Sequence, residues 1–263
     1  MEVSQLTVYP VKGCRGVALE RAVVAADALE HDRRFVVHAG DGKFLSQRNH
    51  AAMGRIDARI EDARLTLAAP GVEPVRVPPV LEGIETDVDV WGTTCRVVDQ
   101  GDEAAAFFER VLGVPCRLAG LAKGFHRPLH DGLGDRPAGR LRFADAAPVL
   151  VASEASLEDL NARLDAPVEM ERFRANLVVR GCEPYAEDGW ERITVGDVTL
   201  ERLVPCGRCV VTTIDPVTLV RSKEPLRTLA TYRKDDTYGV LFGTYYLHRS
   251  EGTLRVGDEV RIG

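Results

Sequence analysis

No run of apolar residues in this 263-residue chain approaches the roughly 20 that a membrane-crossing helix needs. The first residues, Met1-Glu2-Val3-Ser4-Gln5, lack the basic start and apolar stretch of a secretion signal. Blocks of like charge are absent as well: 34 basic and 40 acidic residues are interspersed and sum to −6. Such a chain has no basic stripe with which to track a nucleic-acid backbone, so an anionic ligand must be held by a few placed arginines and lysines. There are six cysteines, Cys14, Cys95, Cys116, Cys182, Cys206 and Cys209, with one close pair and no second CxxC. Scattered thiols in a chain this long read as free cysteines of a reducing compartment, not as a disulfide framework.

What is abundant is strand signal. Val3 to Val11 alternates; Arg34 to His38 runs into a turn at Gly40-Asp41-Gly42; Arg64 to Leu67 faces Val72 to Val77. Thr93 to Val98, Asn176 to Val179, Ile193 to Val195 and Val198 to Leu203 continue the pattern, and the tail predicts a closing hairpin that turns at Gly257-Asp258. Three helices are expected: one capped by Asp102 and ending at Gly113, one from Ser153 or Ser156 through Leu164, and a short one over 224–232. The fold class is therefore α+β, mainly β, a β-barrel with a few peripheral helices. Lys123 to Arg142 has no apolar periodicity and reads as a long loop marking a boundary or covering a site. The expected division is 1–120 and 121–263, with the first strands free to interleave with the second unit.

Chemistry concentrates at Pro205-Cys206-Gly207-Arg208-Cys209, read as a turn between a strand and a second strand over Val210 to Thr213. A guanidinium beside a thiol favours thiolate, the form that binds soft metals or acts as a nucleophile. Alone the segment is ambiguous. Structural zinc would need two more ligands, a thioredoxin-like dithiol would need a helix after the pair, and two buried thiols packing as small hydrophobes is the plain reading. Three further segments place cations beside strand ends: Lys12-Gly13, Arg33-Arg34 and Arg172 to Asn176. An ammonium next to an approachable glycine N–H suits a phosphate oxygen. His126 and His130 read as residues of a solvated loop, with the rim of a ligand site or a lid as the alternative, and Trp91 and Trp190 as core residues.

Taken together and in order, VYPVKGCRG, DRRF, SEASLEDLN, FRANLVVRGCEPYAEDGW, PCGRCVVTTIDP, SKEPLRTL and LFGTYYL resemble the MOSC proteins, and among them the group of the mitochondrial amidoxime-reducing component and its bacterial relatives. The resemblance spans essentially the whole chain. It implies a MOSC β-barrel domain preceded by the β-rich MOSC N-terminal domain, and a molybdenum–pterin cofactor whose metal is held by one thiolate, here Cys209. It places Lys12, Arg34, Arg174, Asn176, Arg208 and Tyr245 around the pterin and its phosphate, with backbone contacts at Gly13 and Gly207. Cys206 becomes a supporting thiol. Asp215 is expected to orient or handle a proton, with a plain turn cap as the alternative. Two positions depart from the family pattern: Gly13 stands where many relatives have serine, and Ala146 and Ala147 stand where some have hydroxyls.

The activity so implied is reduction of N-hydroxylated compounds such as amidoximes, hydroxylamines and N-hydroxylated bases. Electrons would come from a separate flavin, haem or iron–sulfur protein, since the cysteines lack the plant-type C-x₄-C-x₂-C run. Sulfur transfer through a Cys209 persulfide and a non-catalytic cofactor carrier are the alternatives. Without the animal relatives' anchor, a cytoplasmic protein with no membrane or nucleic-acid partner is expected.

Overall fold

The computed structural model describes residues 1–129 and 140–263. Its largest sheet has nine strands. The spine is a long antiparallel pair, Val198–Gly207 with Gly239–His248, whose register shifts between Arg202 and Val204 and again between Pro205 and Gly207. Each shift is an irregularity that bends the ladder and raises its twist. Val149–Ser153 and Leu177–Arg180 lie beyond it as a parallel pair, joined by the helix Glu154–Asn161 and the 3-10 turn Met170–Phe173. That crossover is what parallel pairing demands.

The N-terminal strand Glu2–Val8 pairs with Leu177–Arg180, so the first residues belong to the same sheet as the last third of the chain. At the opposite edge, Val260–Ile262 follows a segment hydrogen-bonded to the N-terminal strand (Val3 N to Asp258 O, 2.9 Å; Gly257 N to Val3 O, 2.8 Å). The sheet thus curls back on itself. Val3, Leu6, Val8, Val149, Leu177, Ile193, Leu200, Tyr246 and Val260 fill its interior.

The remaining N-terminal residues build a second apolar core. Phe35–His38, Arg117–Leu121, Thr93–Asp99 and Glu85–Val90 form a four-stranded sheet, and Asp57–Glu61, Arg64–Ala69 and Val72–Val77 a three-stranded one. The helix Asp102–Leu112 packs Phe107 and Phe108 against Phe35, Met53, Leu65 and Leu118. It stops at Gly113, in the left-handed region at φ 70°. Asp102 is the first helical residue, not the cap; its carboxylate accepts from Arg117 at 2.8 Å.

Three expected elements take other forms. The tail does not close as a hairpin: Gly252–Arg255 pairs with Arg21–Val24 while Val260–Ile262 pairs with Arg192–Val195. The third helix is one turn, Leu226–Leu229. Val210–Thr213 is a 3-10 turn and not a strand. There the hydroxyls of Thr212 and Thr213 donate to the carbonyls of Cys209 (3.0 Å) and Val210 (2.7 Å), tightening the backbone against the β preference of the side chains.

Candidate functional site

A cavity of about 100 Å³ opens where the end of the large sheet meets the N-terminal sheets. Its sulfur is Cys209. The strand Val198–Gly207 ends one residue before Arg208, whose N–H donates to Val240 O at 2.7 Å, and Cys209 then sits at the entrance of the 3-10 turn. Among the described residues the Cys209 thiol has no hydrogen-bond partner, and it is half-buried in the cavity wall. Behind it Cys206 is sealed. Arg208 Nη1 donates to Cys206 Sγ at 2.7 Å and Nη2 to Phe173 O at 2.7 Å, while its buried Nε is without a partner. Tyr245 shares a hydrogen bond with the Cys206 sulfur, and burial first, then the neighbouring Cys206, holds its hydroxyl proton well above the ordinary tyrosine range.

Two more guanidinium groups stack on the ring of Tyr9, Arg33 at 4.3 Å and Arg174 at 4.1 Å from the centroid. Arg33 is paired with Asp32 at 2.8 Å and donates to Asn176 Oδ1 at 2.9 Å. Asn176, fully buried, returns its amide to Thr7 O at 3.0 Å and takes Leu150 N–H at 3.2 Å, tying the cavity floor to the sheet. Arg174 occupies the left-handed region (φ 55°) and donates to Cys14 O at 2.7 Å. Among the described residues it has no carboxylate partner, and burial lowers its proton affinity. Its charge is met by a ring face and a carbonyl and not by a carboxylate, which leaves it able to take an anion.

The opposite wall carries the one acid in the cavity lining. Lys12, buried, donates to Phe143 O at 2.8 Å and pairs with Asp145, which also accepts from Trp91 Nε1 at 3.0 Å. Burial lowers the Lys12 proton affinity. Burial would raise that of Asp145, but Lys12 and the indole donor outweigh it and hold the carboxyl well below its usual range. Gly13, at φ 84°, presents its backbone to the cavity in a conformation costly for any side chain.

Of the residues singled out from sequence, Lys12, Gly13, Arg174, Asn176, Arg208, Cys209 and Tyr245 line this cavity. Arg34, Gly207 and Asp215 do not. Arg33 sits in the left-handed region (φ 42°), which turns the chain so that Arg33 enters the cavity while Arg34 lies half-buried beside Arg142 and Asp27. Gly207 has another reason to be glycine, since a Cβ there would collide with the Tyr238 carbonyl oxygen. Asp215 is a turn cap: its Oδ1 accepts from the N–H groups of Val217 (3.0 Å) and Thr218 (2.7 Å), and Oδ2 pairs with Arg172 at 2.8 Å. His126 lies 3.9 Å from Asp27, away from the cavity, and His130 is outside the described residues. Trp91, expected in the core, lines the cavity, as do Arg33, Asp145 and the segment 46–48. Asp145 had a signal: a lone acid inside Phe143-Ala144-Asp145-Ala146-Ala147, where every flanking side chain is apolar.

One half-buried soft sulfur, a ring of cations and a bare glycine backbone make a donor set that suits a thiophilic metal attached to a phosphorylated organic group. The orphaned Arg208 Nε and the carboxylate-free Arg174 are the polar atoms that such a group would satisfy. The MOSC domain matches residues 138–261 and the MOSC N-terminal beta barrel domain residues 1–115. The chain belongs to the MOSC family. Mitochondrial amidoxime-reducing component 1 of Mus musculus is 36% identical over 99% of this chain and 82% of its own length. The human protein of that name is also 36% identical with the same coverage, and mitochondrial amidoxime reducing component 2 of Bos taurus is 34% identical over 98% and 82%. Among solved structures, the YuaD protein of Bacillus subtilis aligns with 98% of this MOSC chain and 93% of its own, at 9% identity and a TM-score of 0.42, a likeness too loose to add to the argument. No helix among the described residues is long and apolar enough to cross a membrane.

Proposed function

We propose that this MOSC protein is a molybdenum-cofactor-dependent oxidoreductase that reduces N-hydroxylated compounds, amidoximes, hydroxylamines and N-hydroxylated bases among them. The observation that carries the reading is the Cys209 sulfur, without a hydrogen-bond partner among the described residues, facing a cavity whose cations exceed its acids. Cys209 would hold the metal, and Lys12, Arg33, Arg174 and Arg208, with the Gly13 backbone, would hold the pterin and its phosphate. When bound, the group supplies two-electron chemistry by which an N–OH compound, with two protons and two electrons, becomes the N–H compound and water.

The chain's own residues do the rest. Tyr245 keeps its proton at neutral pH and spends it on the Cys206 sulfur, so its oxygen can only accept from a group in the cavity. Asp145 is ionised there and can only accept, which orients the N–OH hydrogen of a substrate. Phe44 and Trp91, edge to face at 4.8 Å between centroids, form an apolar wall that excludes water and suits a flat amidine or base. Electrons come from a separate carrier. Asp215 acts outside the cavity by fixing the loop after Cys209, and Arg34 lies outside it beside Arg142 and Asp27.

The test is benzamidoxime reduction by purified protein from a cofactor-competent host, driven by a chemical reductant, with metal and phosphorus analysis alongside. Turnover that vanishes in Cys209→Ala together with the metal supports the reading. Metal-loaded protein without turnover would make it a carrier, and sulfane sulfur on Cys209 without metal would make it a sulfur-transfer protein.

A further inference from the structure

We propose that the face beside the cavity mouth, centred on the loop 214–221, is the docking surface for a small acidic electron-carrier protein. The inference rests on the reductase reading above and adds the partner's chemistry and where it binds. After Cys209 and the 3-10 turn, Ile214 bridges to Arg221, and Asp215 N donates to Val220 O at 3.0 Å, so the loop between them stands out as a closed tongue. Its tip is apolar and bare: Val217 is 74% exposed and Val220 63%, with Val210 beside Cys209 at 38%. Single exposed valines are ordinary on a protein surface. Three within eleven residues, next to the one sulfur in the cavity lining, form a patch.

The charges around the patch do not cancel. Its carboxylates are already committed: Asp215 to Arg172 at 2.8 Å, Glu171 and Asp57 both to Arg15 at 3.1 and 4.0 Å, and Glu224 to Arg227 at 2.5 Å. Arg48, Arg221 and Lys223 have no carboxylate partner among the described residues. Arg221 ties the tongue to the mouth by donating to the carbonyls of Gln47 (3.3 Å) and Arg48, and Arg48 lines the cavity with its guanidinium 4.3 Å from the Trp91 ring. In a chain of net charge −6, these three cations stand out at one rim. An apolar centre rimmed by unpaired cations recognises an acidic protein with an apolar contact of its own, and the attraction speeds encounter without demanding tight binding. A carrier seated there would stand over the Cys209 segment.

The test uses the holoenzyme reducing benzamidoxime, with electrons from an acidic ferredoxin, a flavodoxin or a small acidic haem protein, and in parallel from reduced methyl viologen. Lys223→Glu combined with Val220→Asp is expected to raise KM for the best protein donor at least tenfold and to leave the viologen rate within twofold. Arg110→Glu, on the remote helix, should change neither. Raising salt from 20 to 300 mM should raise KM for the protein donor alone. An unchanged KM for all three donors would overturn the surface, as would loss of a homodimer in sedimentation in place of lost donor affinity. Anisotropy titration of labelled donor onto cofactor-free protein reads the same surface without turnover. An absence of viologen-driven reduction would overturn the reductase reading, and the titration would then decide the surface alone.

Discussion

At the scale of single residues, one backbone torsion decides which of two adjacent arginines faces the ligand. Arg33 is left-handed, and its side chain stacks on Tyr9 and reaches Asn176, whereas Arg34 leaves the cavity. Arg33→Leu and Arg174→Leu are therefore expected to reduce pterin and phosphorus content of purified protein at least tenfold, and Arg34→Leu less than twofold. Equal loss from Arg34→Leu would move the anion site to the other side of that strand. Side-chain identity was legible in the sequence here, because lysine, arginine and cysteine beside glycine announce anion and soft-metal chemistry. Side-chain direction was not, because a positive φ at a non-glycine residue follows from tertiary packing. Asp145 and Trp91 escaped for a related reason: their pairing with each other and with Lys12 spans 54 and 133 residues of chain.

At the scale of elements, the segment from 198 to 213 works as a unit, a strand that ends in close contact and a turn tightened by its own hydroxyls. Gly207→Ala is expected to lower unfolding free energy by about 2–4 kcal/mol, read as the urea midpoint, since the Tyr238 carbonyl is backbone and cannot swing aside. A loss within 0.5 kcal/mol would show that the contact relaxes freely. Most strands were legible because alternation with one buried face is a strong signal. Val210 to Thr213 was not, since propensity favours a strand and the deciding hydrogen bonds are local side-chain bonds to the preceding carbonyls. The C-terminal tail misled in another way: its two strands are neighbours in sequence but pair with Arg21–Val24 and Arg192–Val195.

At the scale of the whole molecule, the N-terminal strand is an interior member of the large sheet, so the last half of the chain cannot complete its core alone. Residues 121–263 expressed by themselves are expected to lack a cooperative thermal transition, checked by calorimetry. A sharp transition would show that the C-terminal strands close without the first one. Burial also shapes the pH response. Cys14 is pushed from 9.0 up to about 12, and Tyr9 from 10.0 up to about 12, both by burial. Each keeps its proton in the folded state after the unfolded chain has lost it, so their contribution is whole below about pH 9 and falls as pH rises toward 12. The urea midpoint should therefore be lower at pH 10.5 than at pH 8, with roughly 1.4 kcal/mol lost per pH unit from about pH 9 for Cys14 and from about pH 10 for Tyr9. A flat profile between those values would mean that neither group is shielded from water.

The central claim is that the lone cavity thiolate anchors the metal while cations hold the rest of the cofactor. Its most direct measurement is molybdenum content by mass spectrometry on wild type and Cys209→Ala, both purified from a cofactor-competent host and both confirmed folded. The expected result is close to one molybdenum per wild-type chain and less than a tenth of that in the variant. Equal occupancy in the two proteins would contradict the account.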